Sequence, residues 1–483
     1  MRTRWLENMH PWEISEYLEN VNGHLHMDKI DVLELTSKHS TPLFVFSEKR
    51  IRGNVHSVIE TFRRYHTKTN IYYASKACSN LAILDVIKKG GCSVEVNSLG
   101  ELFKAITVGF RPEQIILNGA AKTVKELLYA IRLGIKSINI DSIFELERII
   151  KLCSRINQKA SIAIRVIPEI RTEAHPGLVT GTHESKFGIL PQEIPATIKM
   201  ATSYSELISV VGIHMHIGSQ TTALEHFKTG TKALMSQALE IEKQLGKRLE
   251  HVNIGGGIPV NYVKGQAPSE LPEYLHATIN EHDIANAVVP IIKDKMGSDI
   301  EIVVEPGRRI VGDAAILLTA VQNTKIRDDT AWLAIDAGFN TLLDAFDYKW
   351  YFHAIVANKS DKEHVSPFKL AGPLCDGGDV FFDIDGETTI NTLLKKIPHL
   401  QKYRREIQSL IIRLPRYRLF PKSTKPDDVI AFLDVGAYTL EQMTQYNGRQ
   451  RSGAVMITAD RTVKRIRCRD SMLDLLINDL MWA

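Results

Sequence analysis

Short apolar strands alternating with amphipathic helices predict an α/β fold: a (β/α)8 TIM-like barrel followed by a C-terminal antiparallel β-rich domain. Three observations carry this. Nine β-rich runs between residues 43 and 307 alternate with helical stretches at roughly βα-unit spacing, about 20 to 45 residues. Polar or glycine-rich residues close many of those runs, namely Lys76, Asn118, Asp141, His216, the glycines at 255–257 and Glu305. A barrel gathers all of its strand ends at one mouth, whereas an open doubly wound sheet gathers them at one switch point. After about residue 310 helical periodicity thins and strands are separated by turn clusters, which marks a second domain.

In chain order, residues 1–40 are mixed and polar, with amphipathic pieces at Trp12–Leu18 and Ile30–Leu35. The expected strands are 43–47, 70–75, 92–98, 115–119, 137–142, 161–168, 210–218, 251–257 and 301–307. Helices are expected at Asn80–Lys89, Glu101–Val108, Val124–Leu133, Phe144–Ile156 and His226–Leu245. Beyond 310, strands are expected at 314–323, 330–337, 368–374, 427–435 and 453–458, with turns at Asp385-Gly386 and Tyr446-Asn447-Gly448. The basic stretch 393–428 reads as a solvated helix plus loop.

Composition narrows the function classes. The 483 residues are 44% hydrophobic and 24% charged, ordinary for a globular chain. A net charge of +4 gives no case for a nucleic-acid partner. Five cysteines, none in CxxC spacing, suggest neither a disulfide framework nor a zinc site. The N-terminus lacks the apolar core of a secretory signal, and no window is apolar enough for a membrane span, so a cytoplasmic protein is expected.

The chemistry-bearing motifs follow strands. In Ala74-Ser75-Lys76-Ala77-Cys78 a lysine sits where a barrel strand opens into the mouth. Partial burial lowers an amine's pKa, so Lys76 is able to form a Schiff base, although a lysine after a strand is ordinarily a surface group. In His214-Met215-His216-Ile217-Gly218-Ser219-Gln220 two histidines at i, i+2 could share a metal, but no third ligand is evident. The simpler reading has one histidine stacking on a planar ring and Ser219 contacting an anion. Asn253-Ile254-Gly255-Gly256-Gly257 lets backbone N–H groups approach a phosphate, or is a plain tight turn. In Glu305-Pro306-Gly307-Arg308 the carboxylate suits a protonated ring nitrogen and the arginine an anion; the pair could equally bridge each other. Together these are the parts that pyridoxal phosphate needs. Two further blocks, Gly372–Asp379 and Asp434–Tyr438, lie in the β domain and would each be a turn if read alone.

In these blocks the sequence resembles the fold-type III pyridoxal-phosphate decarboxylases, the diaminopimelate and ornithine decarboxylase family. YYASKACSN, GIHMHIGSQ, VNIGGGIP, VEPGRRIVGDAAILL, AGPLCDGGD and FLDVGAYTLEQMTQYNGRQR resemble its six motifs, in order, from about Thr41 to Ile457. The resemblance implies an N-terminal extension (1–40) contributing to the β domain, a cofactor-binding barrel (41–310) and the β domain (311–483). It also implies a homodimer whose active sites are shared between subunits. Lys76 would carry pyridoxal 5'-phosphate, His216 would stack on its ring and Glu305 would hold the ring nitrogen protonated. Ser219, Gly256, Gly257, Arg308 and Tyr438 would surround the phosphate. Cys375 would reach in from the other subunit and protonate Cα after CO2 leaves.

Departures from the pattern bear on the substrate. Diaminopimelate decarboxylases place, after the barrel, an arginine for the substrate's distal carboxylate; the corresponding position here is Asp344. Their Glu-Ser after the cysteine is Asp376-Gly377 here, as in ornithine decarboxylases. An aspartate repels a distal carboxylate and suits a distal ammonium. The expected substrate is therefore a basic amino acid of ornithine or lysine type, D or L, bound by Asp344, Asp376 and Arg308. An N-acylated derivative such as a siderophore precursor competes with it, and meso-diaminopimelate is the alternative. A racemase or an inactive antizyme-inhibitor-like binding protein is more remote, since Lys76, His216, Glu305 and Cys375 are all present.

Overall fold

The computed structural model describes residues 10–170, 181–265 and 271–480. The described chain forms two units: Ile51–Val260 with Ala277–Gly312, and Met1–Arg50 with Asn261–His276 and Asp313–Ala483.

The first unit is a closed barrel of eight parallel strands in sequential order. They are β1 (Thr69–Ala74), β2 (Ser93–Val96), β3 (Ile115–Leu117), β4 (Ser137–Ile140), β5 (Ala160–Arg165), β6 (Ile208–His214), β7 (His251–Asn253) and β8 (Glu301–Val304). Helices cover the outer face of the barrel and side chains fill its interior, so these strands are buried on both faces and read as mostly apolar runs. The turns into the helices are written in the sequence. Ser98, Thr123 and Ser142 each accept the N–H of a glutamate three residues on, starting helices Leu99–Val108, Val124–Leu133 and Ile143–Ile156. Left-handed Gly109, Gly134 and Asn157 end them. Tyr72, Ile116 and Val303 form a cluster of buried side chains from β1, β3 and β8.

The second unit holds a nine-stranded sheet whose main path runs Arg418–Phe420, Ser366–Ala371, Thr330–Ile335, Ala315–Arg327, Leu43–Ser47, Gly453–Ile457, Val463–Arg467. Most pairings are antiparallel; two, Thr330–Ile335 with Ser366–Ala371 and Gly453–Ile457 with Leu43–Ser47, are parallel. Its core joins Trp12, Tyr17, Leu25 and Met27 to Val45, Ile316, Leu318, Val429 and Val455.

Two local expectations change. The strand Leu43–Ser47, grouped by its position in the chain with the barrel strands, pairs instead with Ala315–Arg327 and Gly453–Ile457. It lies inside that sheet with all five residues buried, so its composition matches that of a barrel strand. Asp385-Gly386 is no turn: Asp383 accepts the Gly386 N–H and starts the helix Ile384–Lys396. The amphipathic piece Trp12–Leu18 forms turns and a bridge between Ile14 and Leu18, where the strand Leu18–Val21 begins. Residues 1–9 of the N-terminal extension lie outside the described residues.

Candidate active site

Lys76 lies in a single 3-10 turn, Ser75–Ala77, that follows β1. The turn is tied on two sides: Ala74 N–H donates to the Pro306 carbonyl (3.1 Å), and the Ser75 hydroxyl donates to Glu101 Oε2 (2.7 Å). The Lys76 side chain is 40% exposed, and its Nζ lies 3.4 Å from Glu95 Oε2.

From that ion pair a chain of buried polar groups crosses the barrel mouth. Asn118 Nδ2 donates to Glu95 Oε1 (2.8 Å) and to Glu305 Oε2 (3.1 Å), and Asn139 Nδ2 donates to Asn118 Oδ1 (2.6 Å). Asn253 Nδ2 donates to Glu305 Oε1 (2.7 Å), and His214 Nε2 lies 3.4 Å from Glu305 Oε2. The two carboxyls are driven apart. Burial pushes Glu95 up to about 7, against Lys76 and with Glu305 adding repulsion. Burial would raise Glu305 as well, but His214, Lys76 and the Asn253 amide outweigh it and hold Glu305 at about 2. Glu305 is thus a fixed anion, suited to keeping a ring nitrogen protonated. Glu95 titrates near neutrality beside the lysine.

This split predicts a pH signature. A carboxyl whose pKa is raised by folding contributes stability below its ordinary value, and that contribution is lost as pH climbs through about 7. Glu95→Gln mimics the protonated acid. Its thermal midpoint is expected to gain a few degrees on wild type between pH 5 and pH 8. A pH-independent difference, read by calorimetry, would contradict the assignment.

The glycine run after β7 is woven tightly. A Cβ on Gly255 would lie 2.3 Å from the Met215 carbonyl oxygen, on Gly256 2.3 Å from that of Glu305, and on Gly257 2.6 Å from that of Gly218. Gly255 and Gly257 also take φ values of +69° and +101°, the left-handed region that glycine enters without strain. Gly256 N–H donates to His216 Nδ1 at 3.2 Å. Burial, with Lys76 and Arg165 adding repulsion, drives His216 well below the usual histidine range, so the ring is neutral. Arg308 is buried and donates from Nε to Ser219 Oγ at 3.3 Å.

The two-histidine reading changes here. β6 ends at His214, so His216 is past the strand and the pair turns to different partners, Glu305 and Gly256. Glu305 and Arg308 likewise turn to His214 and Ser219. A lysine at the barrel mouth, a fixed carboxylate, a neutral histidine, and an arginine beside a cradle with no room for side chains fit pyridoxal phosphate.

The other expected residues belong to the second unit. Cys375 is exposed, and its N–H donates to Asn447 Oδ1 (2.7 Å). Asp376 accepts the Gly378 N–H (2.8 Å) and, at 3.5 Å, the Tyr446 hydroxyl. Asp344 is 2% exposed, the second residue of the short helix Leu343–Asp347. Tyr438 takes a left-handed φ of 57°, uncommon for a bulky side chain.

Glu95 and Asn139 did not stand out in the sequence, and Asn118, His214 and Asn253 appeared there only as a strand-end polar residue, a possible metal ligand and the first residue of the glycine motif, with no role beside Glu305. Glu95 carried a usable signal: a charged residue between valines in a strand buried on both faces needs a buried partner.

Comparison with known proteins shows the family to which the chain belongs. Residues 52–312 match the family model described as pyridoxal-dependent decarboxylase, pyridoxal binding domain. The chain is 33% identical over 477 residues to the diaminopimelate decarboxylase of Methanocaldococcus jannaschii, covering 97% of each. It is 32% identical to that of Archaeoglobus fulgidus, covering 94% of this chain and 96% of the relative. The crystal structure of the M. jannaschii enzyme with L-lysine superposes with a TM-score of 0.81 at 31% identity, covering 98% of both chains. The Helicobacter pylori enzyme with L-lysine gives 0.77 at 27% identity, covering 94% of this chain and all of the other. Among the described residues no helix is long and apolar enough to cross a membrane.

Proposed function

Because the chain belongs to the pyridoxal-dependent decarboxylases, we propose that it decarboxylates an amino acid whose far end is cationic, of ornithine or lysine type, free or N-acylated. The reaction class is that of a carboxy-lyase acting on a small amino acid with pyridoxal phosphate. The observation that carries the substrate reading is Asp344, a buried carboxylate in the segment where the resemblance expects an arginine for a distal carboxylate. A second reading, meso-diaminopimelate, is favoured by the name that relatives of matching length carry.

Pyridoxal phosphate, when bound, supplies the electron sink for the pair left behind by CO2. In this reading Lys76 would hold the cofactor through its amine, and Glu95, 3.4 Å from that amine, would accept or return a proton there. Glu305, held ionised, would keep a ring nitrogen protonated, and neutral His216 would pack against the ring without competing for that charge. Ser219, Gly256, Gly257, Arg308 and Tyr438 hold the phosphate. Asp344 and Asp376 meet the distal ammonium, with Arg308 also near the substrate. Cys375, contributed by the partner subunit of a homodimer, passes a proton to Cα, and an exposed thiol of this kind suits a reducing cytoplasm.

A complementation experiment tests the shared site. Lys76→Ala and Cys375→Ala, each inactive alone, are mixed and allowed to exchange subunits. About half of the dimers are then mixed and each has one intact site, so activity recovers to about a quarter of wild type. No recovery after demonstrated exchange would place the whole site in one chain.

A further inference from the structure

The segments that carry Asp344 and Cys375 meet at one buried carboxylate. We infer that Asp379 is a positioning residue that fixes these two segments as a single piece. The inference rests on the proposed function, in which Asp344 and Cys375 act on the substrate.

Asp379 is 2% exposed. Its Oδ1 accepts the Phe339 N–H at 2.9 Å, and its Oδ2 accepts the Leu374 N–H at 2.8 Å. Phe339 lies five residues before Asp344, and Leu374 immediately precedes Cys375. Each oxygen therefore holds one of the two segments. Two glycines make the room. A Cβ on Gly338 would lie 2.4 Å from Asp379 Oδ1, and one on Gly372 2.2 Å from Oδ2. The carboxylate thus occupies the space that side chains at 338 and 372 would fill. Backbone bonds tighten the same knot: Gly372 N–H donates to the Asp379 carbonyl (2.9 Å), and Asp379 N–H to that of Asp376 (3.2 Å).

The opposite flank of the cysteine loop is held separately. Asn447 accepts the Cys375 N–H, Arg449 donates to the Pro373 carbonyl (3.0 Å), and Tyr446 packs on Phe339 with ring centroids 5.3 Å apart. Loss of Asp379 therefore frees the loop on one side without releasing it, and changes where Cys375 and Asp344 stand relative to each other.

Asp379→Asn is the informative variant. A carboxylate accepts at both oxygens, whereas an amide turns a donor toward one of the two N–H groups. Hydrogen exchange of the holoenzyme, read by mass spectrometry, should accelerate at least about tenfold in peptides covering both 338–344 and 372–379, with barrel peptides unchanged. Gly372→Ala crowds the same carboxylate without altering its charge and should give the same two-segment pattern; it carries the test if the first variant does not fold. In kinetics, Asp379→Asn should lower kcat about tenfold or more in the wild-type background. It should change kcat by less than about twofold in a Cys375→Ala background, because the two substitutions then remove one function. Faster exchange in one segment alone or in neither, or a full loss on top of Cys375→Ala, would overturn the inference. Should Cys375→Ala itself be silent, the role proposed for Cys375 falls, and the exchange pattern still decides whether Asp379 joins the two segments.

Discussion

Lys76→Ala is expected to lower kcat about a thousandfold or more, and borohydride treatment of the wild-type holoenzyme is expected to fix the cofactor on Lys76. The size follows from the role: a residue that holds the cofactor covalently acts in each turnover, and removing such a group costs far more than removing a binding contact. The position follows from the fold. Lys76 stands at the end of β1, in a turn tied to both Pro306 and Glu101, with its amine 3.4 Å from Glu95. That carboxyl, pushed up to about 7, offers the amine a proton acceptor when ionised. Peptide mapping of the reduced protein reads the result, and label on any other lysine would remove Lys76 from the centre of the site. Lys76→Arg should not restore activity, because a guanidinium stays protonated and cannot act as the free amine.

Much of this arrangement was legible in the sequence, and the reason is physical. A parallel barrel buries its strands on both faces, so β1 to β8 appear as apolar runs, and the residues that break the pattern at their ends are those that face the mouth. Lys76, His216, the glycines at 255–257 and Glu305 were found that way. The strand Leu43–Ser47 misled because burial on both faces is not unique to barrels; the interior of a mixed sheet produces the same composition. Asp385-Gly386 misled because the pair serves a turn or a capped helix start equally well, and Asp383, two residues earlier, decides between them. The polar chain from Glu95 through Asn118 to Glu305 was hidden for another reason. Its members lie on β2, after β3 and after β8, and closure of the barrel makes them neighbours. Asp379 resembles an ordinary turn residue until its carboxylate is seen to fill the space beside Gly338 and Gly372.

Asp344→Arg is expected to narrow or reverse the substrate preference. In a poorly solvated pocket one charge-assisted contact to a distal ammonium contributes about 1.5–3 kcal/mol, on the order of tenfold to a hundredfold in kcat/KM. Diaminopimelate carries both a distal ammonium and a distal carboxylate, so Asp344 would attract one and repel the other. Ornithine or lysine would gain the attraction alone. Replacing the carboxylate by a guanidinium exchanges these signs. Because Asp344 is buried, Asp344→Asn is the gentler companion: it removes the charge, keeps the shape, and should lower kcat/KM for the basic substrate while leaving that for diaminopimelate nearly unchanged or improved. Equal losses on both substrates would assign Asp344 to the packing of helix Leu343–Asp347 and not to recognition.

The most direct test of the central claim is CO2 release by purified holoenzyme across a panel: D- and L-ornithine, D- and L-lysine, their N-acylated derivatives, and meso-diaminopimelate, compared by kcat/KM. The account predicts that a basic amino acid, free or N-acylated, is turned over with a higher kcat/KM than meso-diaminopimelate. Fastest turnover of meso-diaminopimelate would contradict it, and the correspondence of Asp344 to the arginine of the diaminopimelate enzymes would be the first step to fall.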